Sequence, residues 1–349
     1  MILNTLDLSL ESDVKEYKKR LLEFDTDFPF FKLPFLNIFG DHSAKPKAFV
    51  FNDSLGRTQI IMPFYLRKVN STSHNDVYDV ISNYGYGGPL YNGQLEDEVL
   101  EEFWRQVDDW YKENKIVSEF IRFNTNDNYE SYSGELIPTQ KIVDGKIKAP
   151  DVLWSAYNRK VRKNINRANR EALTFNVYDG AIPKEIVRDF YEIYINTMKR
   201  NDARAYFFYS LEDIEHYVYH STGNCAIFMA YKDEVAISTE LALLSNTHMY
   251  SFLGGTNADF FSLRPNDFLK HKLIEWGFNN NYTNYVLGGG YVDDDGIFNY
   301  KKSFFENDIS MFYTGRKIIN DGVYKDLCLE VSVNPEASDT SFFPLYRSK

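Results

Sequence analysis

The 349-residue chain is 44% hydrophobic and 17% aromatic, with 26 Tyr and 28 Phe, which supplies a large core and excludes a disordered protein. A formal net charge of −11 argues against a free-standing DNA binder, which needs a basic surface. Two cysteines, Cys225 and Cys328, cannot build a disulfide framework and point to a reducing, cytoplasmic compartment.

The length predicts two domains, or one doubled fold. The N-terminal MILNTLDLSLESDVKEYKKR lacks the basic start and apolar run of a signal peptide. No stretch approaches the roughly 20 apolar residues of a membrane span. KAFVFNDSLGRTQIIMPFYLRK, 47–68, reads as a β-hairpin turning at Asn52–Gly56. YGYGGPLYN follows at 84–92. EVLEEFWRQVDDWYKENK then sets Leu100, Phe103, Trp104, Val107 and Trp110 at helical spacing before the strand SEFIRFN. Pro150 and Asp151 mark a boundary, with Asp151 a predicted helix N-cap. The basic helix RKVRKNINRANR, 159–170, comes next, and helices are predicted over 183–201 and 211–220.

A second hairpin spans 224–244, turning at Lys232–Glu234. RPNDFLKHKLIEWGFNNN is a helix with Phe268, Leu269, Leu273 and Trp276 on one face, and it runs into the strand NYVLGGG. Laying Trp110 on Trp276 brings Phe120-Ile121 onto Val286-Leu287, as an internal duplication of a hairpin–strand–helix–strand unit would. DISMFYTGRKIIN, 308–320, reads as β-structure.

This order of elements resembles the GNAT acyltransferases, and four segments sharpen the likeness to their FemABX-like aminoacyltransferase branch. YGYGGPLYN is similar to that family's aromatic Gly-Pro turn, and SAYNRKVRKNINRANRE to its basic helix. LRPNDFLKHKLIEWGFNNNYTNYVLGGG is similar to its helix and glycine-ended strand, and GIFNYKKSFF to its aromatic-Lys-x-x-Phe element. The resemblance implies an α/β fold with mixed sheets in two tandem GNAT-like domains. These are expected over 1–150, completed by 315–349, and over 151–314. One feature departs from the acetyl-CoA-binding pattern: SLRPNDF stands where a glycine-rich pyrophosphate loop is expected.

The candidate chemistry centres on Lys301, expected on a strand edge with Lys302 on the opposite face. The aromatic residues around it can fix its stem and leave its ammonium free. A fixed cation suits the oxyanion formed in acyl transfer, and the resemblance implies the same role. Glu240, acidic within a β-run, is either a base or the partner of a buried cation. The aspartates 293–295 supply a base or form a polar loop tip, the latter preferred. Arg159, Lys163, Arg200, Arg204, Tyr206 and Tyr209 form an expected contact set for phosphates and sugars, joined by Tyr86, Arg264, Asn266 and Tyr300. His216 and His220 lie four apart without a metal-protease pattern, and no metal is expected.

The expected activity is N-acyl or aminoacyl transfer to a primary amine of a cell-envelope precursor: a peptidoglycan stem peptide, or an amino sugar on a nucleotide or lipid carrier. The donor is aminoacyl-tRNA by the FemABX resemblance, or acyl-CoA by the wider GNAT one; neither is tightly bound. Contact with the membrane periphery is anticipated through the lipid-linked acceptor, and none with DNA. Two alternatives stand: an acetyl-CoA-dependent N-acetyltransferase of surface-polysaccharide synthesis, and a GNAT-fold glycan binder that has lost catalysis.

Overall fold

The computed structural model describes residues 1–25, 27–336 and 342–348. In chain order the elements are β1 (Ile2–Asp7), α1 (Glu11–Leu21), α2 (Leu33–Ile38), β2 (Lys45–Asn52), β3 (Thr58–Lys68), β4 (Tyr78–Ile81), β5 (Leu90–Tyr91), α3 (Asp97–Glu113), β6 (Ile116–Arg122) and β7 (Glu135–Lys146). Then come α4 (Pro150–Ala156), α5 (Arg159–Arg170), β8 (Thr174–Asp179), α6 (Lys184–Arg200), α7 (Leu211–His220), β9 (Cys225–Lys232), β10 (Val235–Leu244), β11 (His248–Thr256) and α8 (Pro265–Asn279). The last are β12 (Asn284–Gly288), α9 (Gly296–Lys302), β13 (Ile309–Ile318) and α10 (Asp321–Glu330). Among the described residues no helix is long and apolar enough to cross a membrane.

The chain divides into two compact units. Unit 1 comprises Met1–Asp25, Phe39–Thr139 and Phe312–Lys349; unit 2 comprises Thr26–Ile38 and Gln140–Met311. Two of the four dividing points fall inside β7 and β13.

Each unit is built on one plan. In unit 1 the strands run β1-β2-β3-β4-β6-β13, antiparallel except for the parallel pair β4–β6. In unit 2 they run β8-β9-β10-β11-β12-β7, antiparallel except for the parallel pair β11–β12. A parallel neighbour needs a crossover, and α3 and α8 supply it. The register repeats as well: Ile81 faces Phe120 in unit 1 and Tyr250 faces Val286 in unit 2. The duplication seen in the sequence is therefore a repeated topology, and the fold is a mixed α/β tandem of GNAT-like units.

The helical faces go where their periodicity sends them. Leu100, Phe103, Trp104 and Val107 are buried against Phe49, Ile60 and Phe64. Trp110 is only half-buried, and Tyr111 takes the inward position. In unit 2, Phe268, Leu269 and Leu273 of α8 pack with Val161 and Ile165 of α5 and with Phe228 and Tyr285, and Trp276 lies at the edge of that core. The predicted cap at Asp151 is two positions late. Ala149 is the N-cap, Pro150 occupies the first turn and Asp151 follows it as a first-turn acid, because proline's fixed φ suits the first helical position.

One close approach is backbone-limited. A Cβ on Gly255 of β11 would sit 2.5 Å from Thr197 Oγ1 and 2.8 Å from the Ile193 carbonyl oxygen, both on α6. Gly255→Ala is expected to cost about 1–3 kcal/mol as α6 is pushed off the sheet, read as a lower urea midpoint at unchanged m-value.

Candidate active site

The glycine-ended strand β12 organises the site. Gly288 has φ +72, a left-handed value that glycine adopts without a Cβ penalty. A Cβ on Gly290 would lie 2.1 Å from Asp295 Oδ1, so the chain folds tightly back on itself here. Asp295 then caps α9, accepting from the backbone N–H groups of Phe298 and Tyr291 at 2.7 Å each. These hydrogen bonds hold its carboxyl below the usual range. Asp294 pairs with Lys141 at 2.8 Å, and Asp293 accepts from the Lys141 backbone N–H at 2.9 Å. All three aspartates are thus tied into the loop and helix start.

The cap also corrects the strand expected around Lys301. Residues Gly296–Lys302 are helical, because a satisfied N-cap outweighs the β-preference of the aromatic residues here. Lys301 is half-buried, and its Nζ donates to the Gly289 carbonyl at 2.6 Å. Burial pushes its ammonium down to about 8, with the Lys270 charge acting in the same sense and Glu240 and Asp295 opposing. One donor is spent on Gly289, which leaves two N–H donors for a ligand. The preceding residue on α9, Tyr300, has its hydroxyl enclosed and without a hydrogen-bond partner. Burial, then Asp267 and Glu240, push that phenol well above its ordinary pKa.

Glu240 is buried on β10. Its Oε2 accepts from Lys270 Nζ and its Oε1 from the Tyr285 hydroxyl. Lys270 also donates to Ser251 Oγ at 3.1 Å and to Tyr285 Oη at 2.9 Å. All three ammonium protons and both carboxylate oxygens are therefore engaged. Of the two roles open to Glu240, this geometry is that of an acid held by a buried cation, not of a free base. Sequence reading missed Lys270, Ser251 and Tyr285. The signal for Lys270 was its neighbourhood: Leu273, Ile274 and Gly277, three, four and seven positions on, continue the apolar stripe through the lysine.

The remaining candidates fall in three places. Arg264 and Asn266 sit at the start of α8; Arg264 is the N-cap, exposed, with φ 61. Nearby, Asn164 Nδ2 donates to Asp267 Oδ1 at 3.1 Å, and burial raises that carboxyl. Arg200 donates to the Thr256 carbonyl at 2.9 Å and lies over the Phe261 ring. Arg204 and Tyr206 are exposed, and Tyr209 is buried. Tyr86 belongs to unit 1, where its ring meets that of Phe312 at 5.7 Å.

The basic helix α5 starts at the Asn158 cap, which accepts from the Val161 backbone N–H at 3.0 Å. Val161, Ile165 and Ala168 face inward. Arg162 turns back onto the carbonyls of Ser155 and Trp154. Arg159, Lys160, Lys163, Arg167 and Arg170 are exposed, and none forms an ion pair among the described residues. The nearby Asp267 carboxyl feels the Lys160 charge without pairing with it. His216 and His220 stack at 4.2 Å on the surface of α7.

Unit 1 has no counterpart of Lys301. The stretch after β6, residues 123–134, contains no lysine or arginine. The candidate cation Lys301 belongs to unit 2.

Residues 159–302 match the Acetyltransferase (GNAT) domain family, a span that contains Glu240, Lys270, Tyr300 and Lys301. No curated protein matches the sequence. Among solved structures, FemX is similar in fold at 13% identity, covering 89% of this chain and 97% of its own, with a TM-score of 0.66. L-PGS from Bacillus licheniformis is similar at 14% identity, covering 88% of this chain and 92% of its own, with a TM-score of 0.57. The C-terminal domain of a putative lysylphosphatidylglycerol synthetase from Agrobacterium fabrum is similar at 11% identity, covering 91% and 95%, with a TM-score of 0.59. Residues 159–302, which carry Lys301, thus match a GNAT acetyltransferase domain, and the doubled fold around them is similar along the chain to those of FemX and L-PGS.

Proposed function

We propose that the chain transfers an aminoacyl group from aminoacyl-tRNA to a primary amine of a cell-envelope precursor. The observation that carries this reading is the placement of Lys301. It is a half-buried ammonium with two donors to spare, held against the carbonyl of Gly289 just past the glycine-tipped strand. The amine nitrogen attacks the ester carbonyl and the C–N bond forms. Negative charge then develops on the carbonyl oxygen, where Lys301 stabilises it. Collapse of the intermediate expels the ribose hydroxyl of the tRNA, which takes up the proton released by the amine. The buried Lys270–Glu240–Tyr285 network positions β10, α8 and β12 around this point and takes no proton itself.

Support for a tRNA donor comes from α5, whose five exposed cations form no ion pair among the described residues and suit a polyphosphate backbone. The absence of a glycine loop in SLRPNDF points the same way. The envelope acceptor rests on the FemABX resemblance and the fold shared with FemX and L-PGS. One observation favours acyl-CoA as donor: α8 opens without a side-chain cap and with Arg264 at its N-cap, a polarity that suits a diphosphate.

The test supplies the protein with charged tRNA or acyl-CoA together with amine acceptors, and follows N-acylated product by mass spectrometry. Product with charged tRNA is expected, and its rate should fall at least about tenfold in an Arg159→Gln/Lys163→Gln/Arg167→Gln variant at moderate salt. Product from acyl-CoA alone, unaffected by that variant, would transfer the reading to the CoA class. No product with either donor, together with retention on envelope glycans, would replace catalysis by binding.

A further inference from the structure

Unit 1 contains a cavity of about 440 Å3 between the start of β7, the end of β13, α10 and the C-terminal tail, a volume within the range of small-molecule sites. Arg316 forms part of its wall. The residue is 9% exposed, and its Nε is buried without a hydrogen-bond partner. No carboxylate pairs with it among the described residues. The neighbouring strand residue behaves in the opposite way. Lys317 also borders the cavity, but its ammonium is spent on Asp108 at 2.5 Å, Ser133 at 2.6 Å and Glu119 at 3.6 Å.

A guanidinium Nε–H withdrawn from water without an acceptor is costly, and such a group calls for an explanation. Burial pushes its pKa below the ordinary arginine value, with Glu135 drawing it back. The rest of the wall is mostly apolar: Tyr324, Phe342, Phe343 and Leu345 line it, and the guanidinium lies 5.7 Å over the Phe343 ring. Glu135, exposed at the rim, is the one acid in the lining.

We propose that this cavity binds a small monocarboxylate with an apolar or aromatic body, its carboxylate held by Arg316. One unpaired cation neutralises one negative charge. The planar fork of arginine matches a two-oxygen acceptor, and the aromatic wall takes the organic body. Glu135 disfavours a second negative charge, which sets a carboxylate apart from a phosphate. The site lies wholly within unit 1 and outside the residues of the GNAT-domain match.

The test uses the full chain with 3-phenylpropionate, its uncharged amide 3-phenylpropionamide, and inorganic phosphate, read by thermal shift and titration calorimetry. Phenylpropionate should raise the melting temperature in a concentration-dependent way, while the amide and phosphate should not. Arg316→Met should weaken phenylpropionate binding at least about tenfold and, without ligand, melt at or above the parent temperature. Lys301→Met should keep the response, which separates this site from the proposed transferase centre. Each of four results would overturn the proposal: no response of the parent to phenylpropionate, an equal response to phosphate, a response unchanged in Arg316→Met, or one lost in Lys301→Met. A lower melting temperature of unliganded Arg316→Met would do so too, since it would mean the guanidinium is already satisfied.

Discussion

Lys301→Met is expected to lose about two to three orders of magnitude in kcat while gaining stability at neutral pH. Removing one donor to a developing oxyanion typically costs about 3–4 kcal/mol in the transition state. The same ammonium is an expense to the folded state. Its pKa falls from an ordinary 10.5 to about 8, and at 1.36 kcal/mol per unit this corresponds to roughly 3 kcal/mol of opposed folding at pH 7. Methionine keeps the stem and removes the charge. The unfolded chain binds more protons than the folded one between about pH 8 and 10.5, so the parent's stability rises across that window. The variant's advantage should therefore be fully present below about pH 8 and gone above about 10.5. Parent turnover should decline above about pH 8 as the ammonium is lost. Urea titrations at pH 7 and pH 10.5, with single-turnover rates from pH 6 to 9, check both limbs. Parent-like turnover in Lys301→Met would remove this residue from the reaction.

Glu240→Ala should be among the most destabilising single changes in unit 2. It strands the Lys270 ammonium and the Tyr285 hydroxyl in a buried site, and breaking one side of such a pair typically costs about 3–5 kcal/mol. The double variant Glu240→Leu/Lys270→Met removes both charges and should recover most of that loss, because a well-packed apolar pair is often as stable as the ions it replaces. Chemical denaturation of the parent, both single variants and the double variant closes the cycle. If Glu240 were instead the base that deprotonates the amine, Glu240→Ala would abolish turnover at near-parent stability, and the double variant would rescue nothing.

These two residues also show where sequence reasoning ends. Hairpins, crossover helices and the repeat between Trp110 and Trp276 were legible because they rest on local periodicity and spacing, which a chain carries with it. The glycines at 288–290 were legible for the same reason, since a left-handed φ and a close approach to Asp295 admit little else. Lys301 could be singled out by resemblance, but its strand assignment failed because the Asp295 cap competes with aromatic β-propensity through hydrogen bonds that composition does not display. Likewise, the exposed cations of α5 were readable as a stripe, whereas their lack of direct ion pairs among the described residues was not.

By itself, then, the sequence determined a doubled α/β plan, the basic helix, the glycine-ended strand and the cation that follows it. Only the tertiary structure decided which charges are spent and which are free. Glu240 meets Lys270 across 30 positions of chain and Tyr285 across 45, while Arg316 is buried with no such partner. The physical reason is that periodicity and capping act within a few residues. The electrostatics of a buried group depend on neighbours that only the packed sheet and helices bring within reach.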